Sequence, residues 1–337
     1  MLISVYVPLL TTMVLAVFAP RAARLLAPRP AAWSLASAAL VASLGWLGSL
    51  ALLAFAGLVQ IPEVAEEGRW SVAAVRASDP VYLTVAGAAA LALLASVTGL
   101  TVAATRQLRH LRWARRECRL LPGDTELAVL DTESPEAFAL PGAPGRIVVS
   151  SGMLRCLGDR EREALLAHER AHLRDRHHLF QTLWRLSAAV NPLLRPLSNA
   201  GGFVLERWAD EEAAMRVGDR TVVAHAVGRA ALATSANRSR PVLAATGGAV
   251  PQRVRALLAP PPPRRALPFV AGAALLVVCC VSLADAATDS EDMIETAQRA
   301  ACVTAQAAAT STPPTLPTPP HGVCGEHGEP DGPVRHR

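Results

Sequence analysis

The chain has 337 residues, of which 51% are hydrophobic and only 18% are charged. Its net charge is +5, and all of its basic residues are arginines that cluster beside apolar runs, a pattern of membrane topology. A nucleic-acid-binding signature with interleaved aromatic residues is missing from the sequence, so we expect no direct nucleic-acid partner.

Four apolar stretches are long enough to cross a bilayer, which requires about 20 residues. The predicted spans are Leu2–Ala19, a segment within Ala31–Val59, Val81–Ala104 and Leu267–Ala284. A cleaved signal peptide is the alternative for the first span. Its arginines follow the apolar run instead of preceding it, however, which favours a retained helix with an external N-terminus. We therefore expect the lipid bilayer to be a partner of the chain.

The charges between the spans predict which side of the membrane each loop occupies. The first loop contains Arg21, Arg24 and Arg29 and no acid, so the positive-inside rule places it in the cytoplasm. The second loop, residues 60–79, has four acids against two arginines and is expected outside. A dense arginine-rich segment, residues 106–119, follows the third span. The region between the third and fourth spans is therefore predicted to be cytoplasmic, and the C-terminal tail external.

That region opens with three short strand-like segments, within residues 126–132, 137–140 and 146–151. Pro135 and the Pro141–Gly145 segment separate them, as expected of hairpins. The third segment contains Ile147, Val148 and Val149, and its β-branched composition is consistent with an exposed edge that binds an extended peptide substrate. An ordinary hairpin strand is the alternative.

The main chemical motif is H-E-x-x-H, formed by His168, Glu169 and His172. Residues four apart lie on one face of a helix, so both imidazoles can bind one Zn²⁺ ion. Glu169 can then take a proton from a water polarised by that ion as the water attacks a peptide carbonyl. A charged surface helix with two histidines is the alternative interpretation.

A catalytic zinc needs a third protein ligand and one open position. Glu206 and Asp210 lie four residues apart on a second predicted helix. Glu206 is the candidate third ligand. Asp210, one turn further, can accept a hydrogen bond from a ligating imidazole and fix its tautomer. By spacing alone, an ordinary solvated acidic face is equally consistent with this segment, because two more glutamates follow.

The helix that carries the motif is predicted to begin at Asp159 as N-cap, to run to His177 and to continue to Val190. Asn191–Pro192 is expected to break it. Further helices are predicted over residues 203–217, 219–233 and 250–258. His177 and His178 can assist the transition state or bind a second ion, or they face solvent or cap a helix.

The predicted external tail contains Cys302 and Cys324, and in an oxidising compartment we expect a disulfide between them. It would close a loop over a Pro/Thr-rich run, residues 310–320, that cannot pack a core of its own. Residues 289–309 before this run are predicted to form a short helix.

The motifs in their order resemble a known family. Segments 137–142, 145–152 and 163–172 are similar to the core of membrane-bound gluzincin peptidases. The Asn191-Pro-Leu-Leu segment followed by Glu206-Arg-Trp-Ala-Asp210 resembles the BlaR/MecR family of antirepressor metallopeptidases, bacterial transducers with a zinc protease between membrane helices. By motif the resemblance covers roughly residues 137–258, and by topology the rest.

The resemblance implies one Zn²⁺ per chain, with His168, His172 and Glu206 as ligands, Glu169 as base and Asp210 as hydrogen-bond acceptor. It also implies a bacterial plasma membrane and a protein or peptide substrate: the chain itself, a DNA-binding repressor or another membrane-proximal protein. The family's beta-lactam sensors carry a large external domain after the last span. Here only about fifty residues remain and no S-x-x-K pattern occurs in them, so beta-lactam sensing is not expected.

We therefore predict a mainly α membrane protein with four transmembrane helices and a cytoplasmic α+β gluzincin-like zinc peptidase domain. The expected segments are 1–104 with three spans, 105–265 with the peptidase, 266–287 with the fourth span, and 288–337 as a short, partly disordered tail. The predicted function is a zinc endopeptidase in signal transduction. A catalytically silent receptor or scaffold with a structural zinc site is the alternative.

Overall fold

The computed structural model describes residues 4–78, 82–121, 123, 125–236, 249–260 and 267–311. Helices dominate them, and the only strands in these ranges form one small sheet. The helices are α1 Val7–Leu25, α2 Pro28–Leu58, α3 Pro62–Gly68, α4 Val72–Ser78, α5 Leu83–Leu120, α6 Ser151–Arg155, α7 Asp159–Arg174, α8 His177–Val190, α9 Arg195–Val217, α10 Arg220–Ala236, α11 Ala249–Leu258 and α12 Leu267–Ser311. The strands are β1 Leu127–Leu130, β2 Ala137–Leu140 and β3 Arg146–Ser150.

Four of the described helices are long and apolar enough to cross a membrane: α1, α2, α5 and residues Val270–Ala307 of α12. They correspond to the four predicted spans. The segments predicted to contain the third and fourth spans end at residues 104 and 287. α5 and α12 continue past these residues, so neither predicted segment boundary coincides with the end of a helix. The separate tail helix over residues 289–309 is the second half of α12. Cys324, one member of the predicted disulfide, lies outside the described residues.

The sheet has the strand order β1–β3–β2. β1 pairs with β3 in parallel, and β2 pairs with β3 antiparallel. The prediction that Ile147, Val148 and Val149 offer an exposed edge is therefore wrong, because both edges of β3 are paired and all five of its residues are buried. β2 forms one edge of the sheet instead.

The active-site helix is interrupted. α7 ends at Arg174, Arg176 adopts a left-handed conformation with φ of 51°, and α8 starts at His177. The predicted uninterrupted helix from residue 159 to 190 is therefore wrong. Asp159 is the first helical residue and Gly158 is the N-cap, whose N–H donates to Glu161 at 2.8 Å.

The predicted end of α9 and the predicted start of α10 agree with the structure, whereas the predicted start of α9 does not. A 3₁₀ turn over Pro192–Leu194 follows Asn191, and α9 starts eight residues before its predicted beginning. Gly218 ends α9 with φ of 73°, a conformation that suits glycine, and Asp219 caps α10 by accepting from the N–H groups of Thr221 and Val222.

The domain between the third and fourth candidate spans packs directly on the first two of them, α1 and α2. Trp184, Leu197 and Trp208 of α8 and α9 share one hydrophobic core with Leu35 and Ala39 of α2. The rings of Trp33 and Phe180 meet edge to face, with centroids 5.0 Å apart. This core fixes α8 and α9 against the first-loop end of α1 and α2, and with them the residues that α9 contributes to the site.

Candidate metal centre

The two motif histidines lie one turn apart on α7, and their Nε2 atoms are directed toward a common position. His168 Nε2 and His172 Nε2 are 3.1 Å apart, and both side chains are largely buried. This is the arrangement that a four-residue spacing on one helix face predicts.

α9 places the candidate third ligand beside the two histidines. The Glu206 carboxylate lies 3.5 Å from His168 Nε2 and 3.6 Å from His172 Nε2. Ligand atoms about 2.0–2.1 Å from a tetrahedral zinc are separated by about 3.3 Å. The three measured distances, 3.1, 3.5 and 3.6 Å, match that spacing. In the part of the chain that the structure describes, these three residues are the cluster that can hold a metal ion.

Asp210, one turn after Glu206, supports the first imidazole. Its Oδ1 lies 3.0 Å from His168 Nδ1, although the oxygen is displaced from the direction of the ring N–H. Asp210 is only 1% exposed. A carboxylate at this place selects the tautomer that leaves Nε2 free for a metal, which is the role expected from the sequence.

Arg253, on α11, is a member of the site that the sequence analysis missed. Its Nε and Nη2 donate to the two oxygens of Asp210 at 2.8 and 2.6 Å, and its Nη1 lies 2.8 Å from Glu206 Oε2. One guanidinium therefore binds both carboxylates of α9. The contact joins residues 43 apart in sequence, and no local motif marks it.

Glu169, the candidate base, lies on the inner side of α7 and is 8% exposed. Its carboxylate accepts a hydrogen bond from the backbone N–H of Ala139 on β2. Burial raises the pKa of Glu169, and the nearby charges only partly compensate. A carboxylate with a raised pKa is a better proton acceptor, as general-base chemistry requires.

The ligand set carries strongly shifted pKa values for physical reasons. Burial disfavours the charged form of His168, but the Asp210 and Glu206 carboxylates outweigh it and raise its pKa to about 10. Burial, together with the His168 charge, lowers the pKa of His172 to about 3. Burial opposes ionisation of Glu206, yet contacts with His168 and Arg253 lower its pKa to about 2. The Asp210 and Glu206 carboxylates therefore favour a positive charge at this position.

The two adjacent histidines have different surroundings. His177 is 1% exposed, and its Nδ1 lies 2.8 Å from His172 Nδ1, so it contacts a candidate ligand directly. Burial lowers its pKa to about 4, which keeps the ring neutral. His178 is half-buried beside Arg176 and Arg115, and burial lowers its pKa. It is not among the residues that surround the three ligands.

Comparison with known proteins agrees with this geometry. The model of peptidase family M48 matches residues 106–203, which include β1 to β3 and the H-E-x-x-H helix. Peptidases of this family are zinc-dependent in general. The match ends before Glu206, Asp210 and Arg253, so these three residues rest on the geometry described above.

A curated relative, the "Protease HtpX homolog" of Thermococcus sibiricus (strain DSM 12597 / MM 739), is 39% identical over 67 residues. The aligned part is 19% of this chain and spans 23% of that protein, less than a quarter of its length. No solved structure matches the chain. Together the findings show a likeness to a zinc-dependent peptidase family over residues 106–203, in a chain with four helices that are apolar and long enough to cross a membrane. They do not distinguish the BlaR/MecR-like transducers, so that relationship stays a prediction.

Proposed function

We propose that the chain is a membrane-embedded zinc endopeptidase that cleaves a protein substrate at the cytoplasmic membrane face. The observation that carries this proposal is the tetrahedral spacing of His168, His172 and Glu206 beside the buried carboxylate of Glu169. A zinc ion in such a site supplies Lewis-acid polarisation of a water and of the scissile carbonyl. Glu169 accepts the proton of the attacking water and passes it to the leaving amine.

The ligand count favours catalysis over a structural role. Structural zinc sites are usually closed by four protein ligands, whereas catalytic sites keep one position open. The described residues provide three ligands, and a buried carboxylate with a raised pKa stands next to them. A silent receptor with a structural site has no evident use for Glu169 in that position.

The outer edge of β2 is suited to hold the substrate. Ser150 and Glu136 lie opposite each other, and the N–H of Ser150 donates to the carbonyl of Glu136. Hydrogen-bonded and non-hydrogen-bonded pairs alternate along antiparallel strands, so the next pair, Ala137 and Val149, is not hydrogen-bonded within the sheet. The peptide groups of Ala137 and Ala139 therefore point away from β3, and that of Ala139 already meets Glu169. An extended peptide added along β2 would place a carbonyl beside the metal centre.

The position of the site restricts the substrates that can reach it. α8 and α9 share their core with α1 and α2, so a substrate has to approach close to the bilayer. Suitable substrates are an extended segment of this chain, a membrane-proximal protein, or a DNA-binding repressor in a signalling pathway. The last is the substrate that the resemblance to the antirepressor family suggests.

The decisive experiment is Glu169→Gln in the full-length protein, purified in detergent and loaded with zinc. The substitution keeps the shape of the side chain but removes the base, so zinc should stay near one per chain while cleavage of fluorescein-labelled casein falls by about 100-fold or more. The matched control is Glu163→Gln, at an exposed position of the same helix, which should leave both quantities unchanged. Cleavage that survives Glu169→Gln would falsify this mechanism.

A further inference from the structure

His177 occupies its place because the helix breaks before it. In an uninterrupted helix, residues five apart point about 140° away from each other. The left-handed conformation of Arg176 turns the chain, so that His177 folds back onto His172. Their rings meet edge to face, with centroids 4.8 Å apart and planes at 85°.

The direction of this hydrogen bond follows from the ligand geometry. His172 Nε2 faces His168 Nε2 and Glu206 at 3.1 and 3.6 Å, so Nε2 is the atom available to a metal. A neutral imidazole that binds a metal through Nε2 carries its proton on Nδ1. The His172 Nδ1–H must then donate to His177 Nδ1, at 2.8 Å, which requires the His177 proton to be on Nε2.

The surroundings of His177 fit an acceptor held in one orientation. The ring packs against Trp208, with centroids 4.7 Å apart. Trp208 in turn lies under the Arg29 guanidinium, 5.7 Å from the ring centroid. His177 Nε2 is buried and has no hydrogen-bond partner among the described residues. The one polar contact of the ring in that part of the chain is therefore the one from Nδ1 to His172, and packing against Trp208 holds the ring.

We propose that His177 is a positioning residue that accepts a hydrogen bond from His172 Nδ1–H and thereby fixes the tautomer and orientation of this ligand. The inference rests on the proposed function, since it concerns the same metal centre. The two imidazole ligands are then supported unequally: a carboxylate, Asp210, supports His168, and a neutral imidazole supports His172. A neutral acceptor raises the basicity of the imidazole that it supports less than a carboxylate does. His172 would therefore be the weaker electron-pair donor to the metal of the two histidines.

Two substitutions separate the acceptor from the ring. His177→Phe keeps a flat ring against Trp208 but has no acceptor, whereas His177→Asn places an oxygen near the position of Nδ1 and removes the ring. We expect His177→Phe to weaken zinc binding by roughly 10–100-fold, and His177→Asn to stay within a few-fold of wild type. Zinc affinity is measured by competition with a fluorescent chelator on the full-length protein in detergent.

The thermal unfolding temperature of each metal-free variant shows that it is folded. Wild-type affinity in His177→Phe overturns the proposal, and so does an equal loss in both variants, because packing of the ring would then be the role of His177. A wild-type protein that binds no zinc overturns the proposed function as well, so the two failures are distinguishable.

A measurement on the wild type needs no variant to fold. Histidine-selective ¹⁵N labelling reports which nitrogen of each ring carries the proton in the zinc-loaded protein. We expect His177 to be protonated at Nε2 and not at Nδ1. The opposite tautomer would make His177 a donor toward His172 and would overturn the inference.

Discussion

Arg253 holds both carboxylates that α9 contributes to the metal centre. Its side chain is 12% exposed, and Asp210, which it binds through two nitrogens, is almost completely buried. Removing the guanidinium would leave a buried carboxylate without its main partner, which typically costs about 3–5 kcal/mol. We expect Arg253→Met to lower thermal stability and to weaken zinc binding by roughly 10–100-fold, because Glu206 and Asp210 lose their fixed positions.

Arg253→Lys tests whether geometry or charge matters at this position. Lysine keeps the charge but cannot bind a carboxylate in the bidentate fork of a guanidinium, so we expect an intermediate zinc affinity. Arg255→Met, at an exposed position of the same helix, is the matched control and should behave as wild type. Calorimetry in detergent and chelator competition measure the two effects. Equal zinc affinity in Arg253→Met and Arg255→Met would show that Arg253 does not position the ligands.

At the scale of elements, the contact between α8 and α9 determines where Glu206 and Asp210 lie. A Cβ at Gly201 of α9 would come 2.4 Å from the ring of Trp184, which is 1% exposed, whereas a Cβ at the adjacent Gly202 would meet nothing within 4 Å. Alanine is favoured over glycine in a helix by about 1 kcal/mol. Overpacking a buried ring costs about 1–3 kcal/mol, so the clash should win at residue 201.

These two positions therefore predict opposite effects of the same substitution. Gly201→Ala should lower the thermal unfolding temperature of the full-length protein in detergent and reduce zinc affinity, because it displaces α9. Gly202→Ala should raise the unfolding temperature slightly, through helix propensity alone. If Gly201→Ala is as stable as Gly202→Ala, the close packing of α9 on Trp184 does not set the geometry of the site.

The sequence predicted the elements whose signals are local. Hydropathy over some twenty residues located the four helices that are long and apolar enough to span a membrane. The four-residue spacing of His168 and His172 placed both imidazoles on one face. Strand order depends on contacts between segments that are distant in sequence. β3 is the central strand because β1, twenty residues earlier, pairs with it in parallel. The break at Arg176 was missed because neither glycine nor proline marks it.

Contacts between distant segments limited the prediction of the site in the same way. Glu206 and Asp210 could be proposed because their own spacing suggested it. Arg253 could not, since its role depends on α11 folding back onto α9 across a segment of 43 residues. The contact between His177 and His172 depends on the helix break. A five-residue spacing in a continuous helix would have placed the two side chains on different faces, so the sequence did not predict it.

At the scale of the whole molecule, the length of α2 predicts that the metal centre and the α3–α4 segment lie on opposite sides of a bilayer. α2 has 31 residues, so it is about 46 Å long and exceeds the roughly 30 Å of a hydrocarbon core. Near its start, Trp33 contacts Phe180 of the site domain. Beyond its end, Val59 packs with Val75 of α4 and with Met293 and Ala297 of α12. The first-loop arginines lie at the same end as the site.

The positive-inside rule then predicts that the metal centre faces the cytoplasm, and labelling of single cysteines tests this prediction in the full chain. In a variant without native cysteines, Glu66→Cys on α3 and Arg255→Cys on α11 both introduce a thiol at an exposed position. A membrane-impermeant maleimide should label Glu66→Cys in intact bacterial spheroplasts and Arg255→Cys only after lysis. Arg29, beside Trp208 at the site end, would then face the anionic inner leaflet, which favours basic residues. Labelling of Arg255→Cys in intact spheroplasts, with Glu66→Cys protected, would reverse the orientation and exclude a cytoplasmic repressor as substrate.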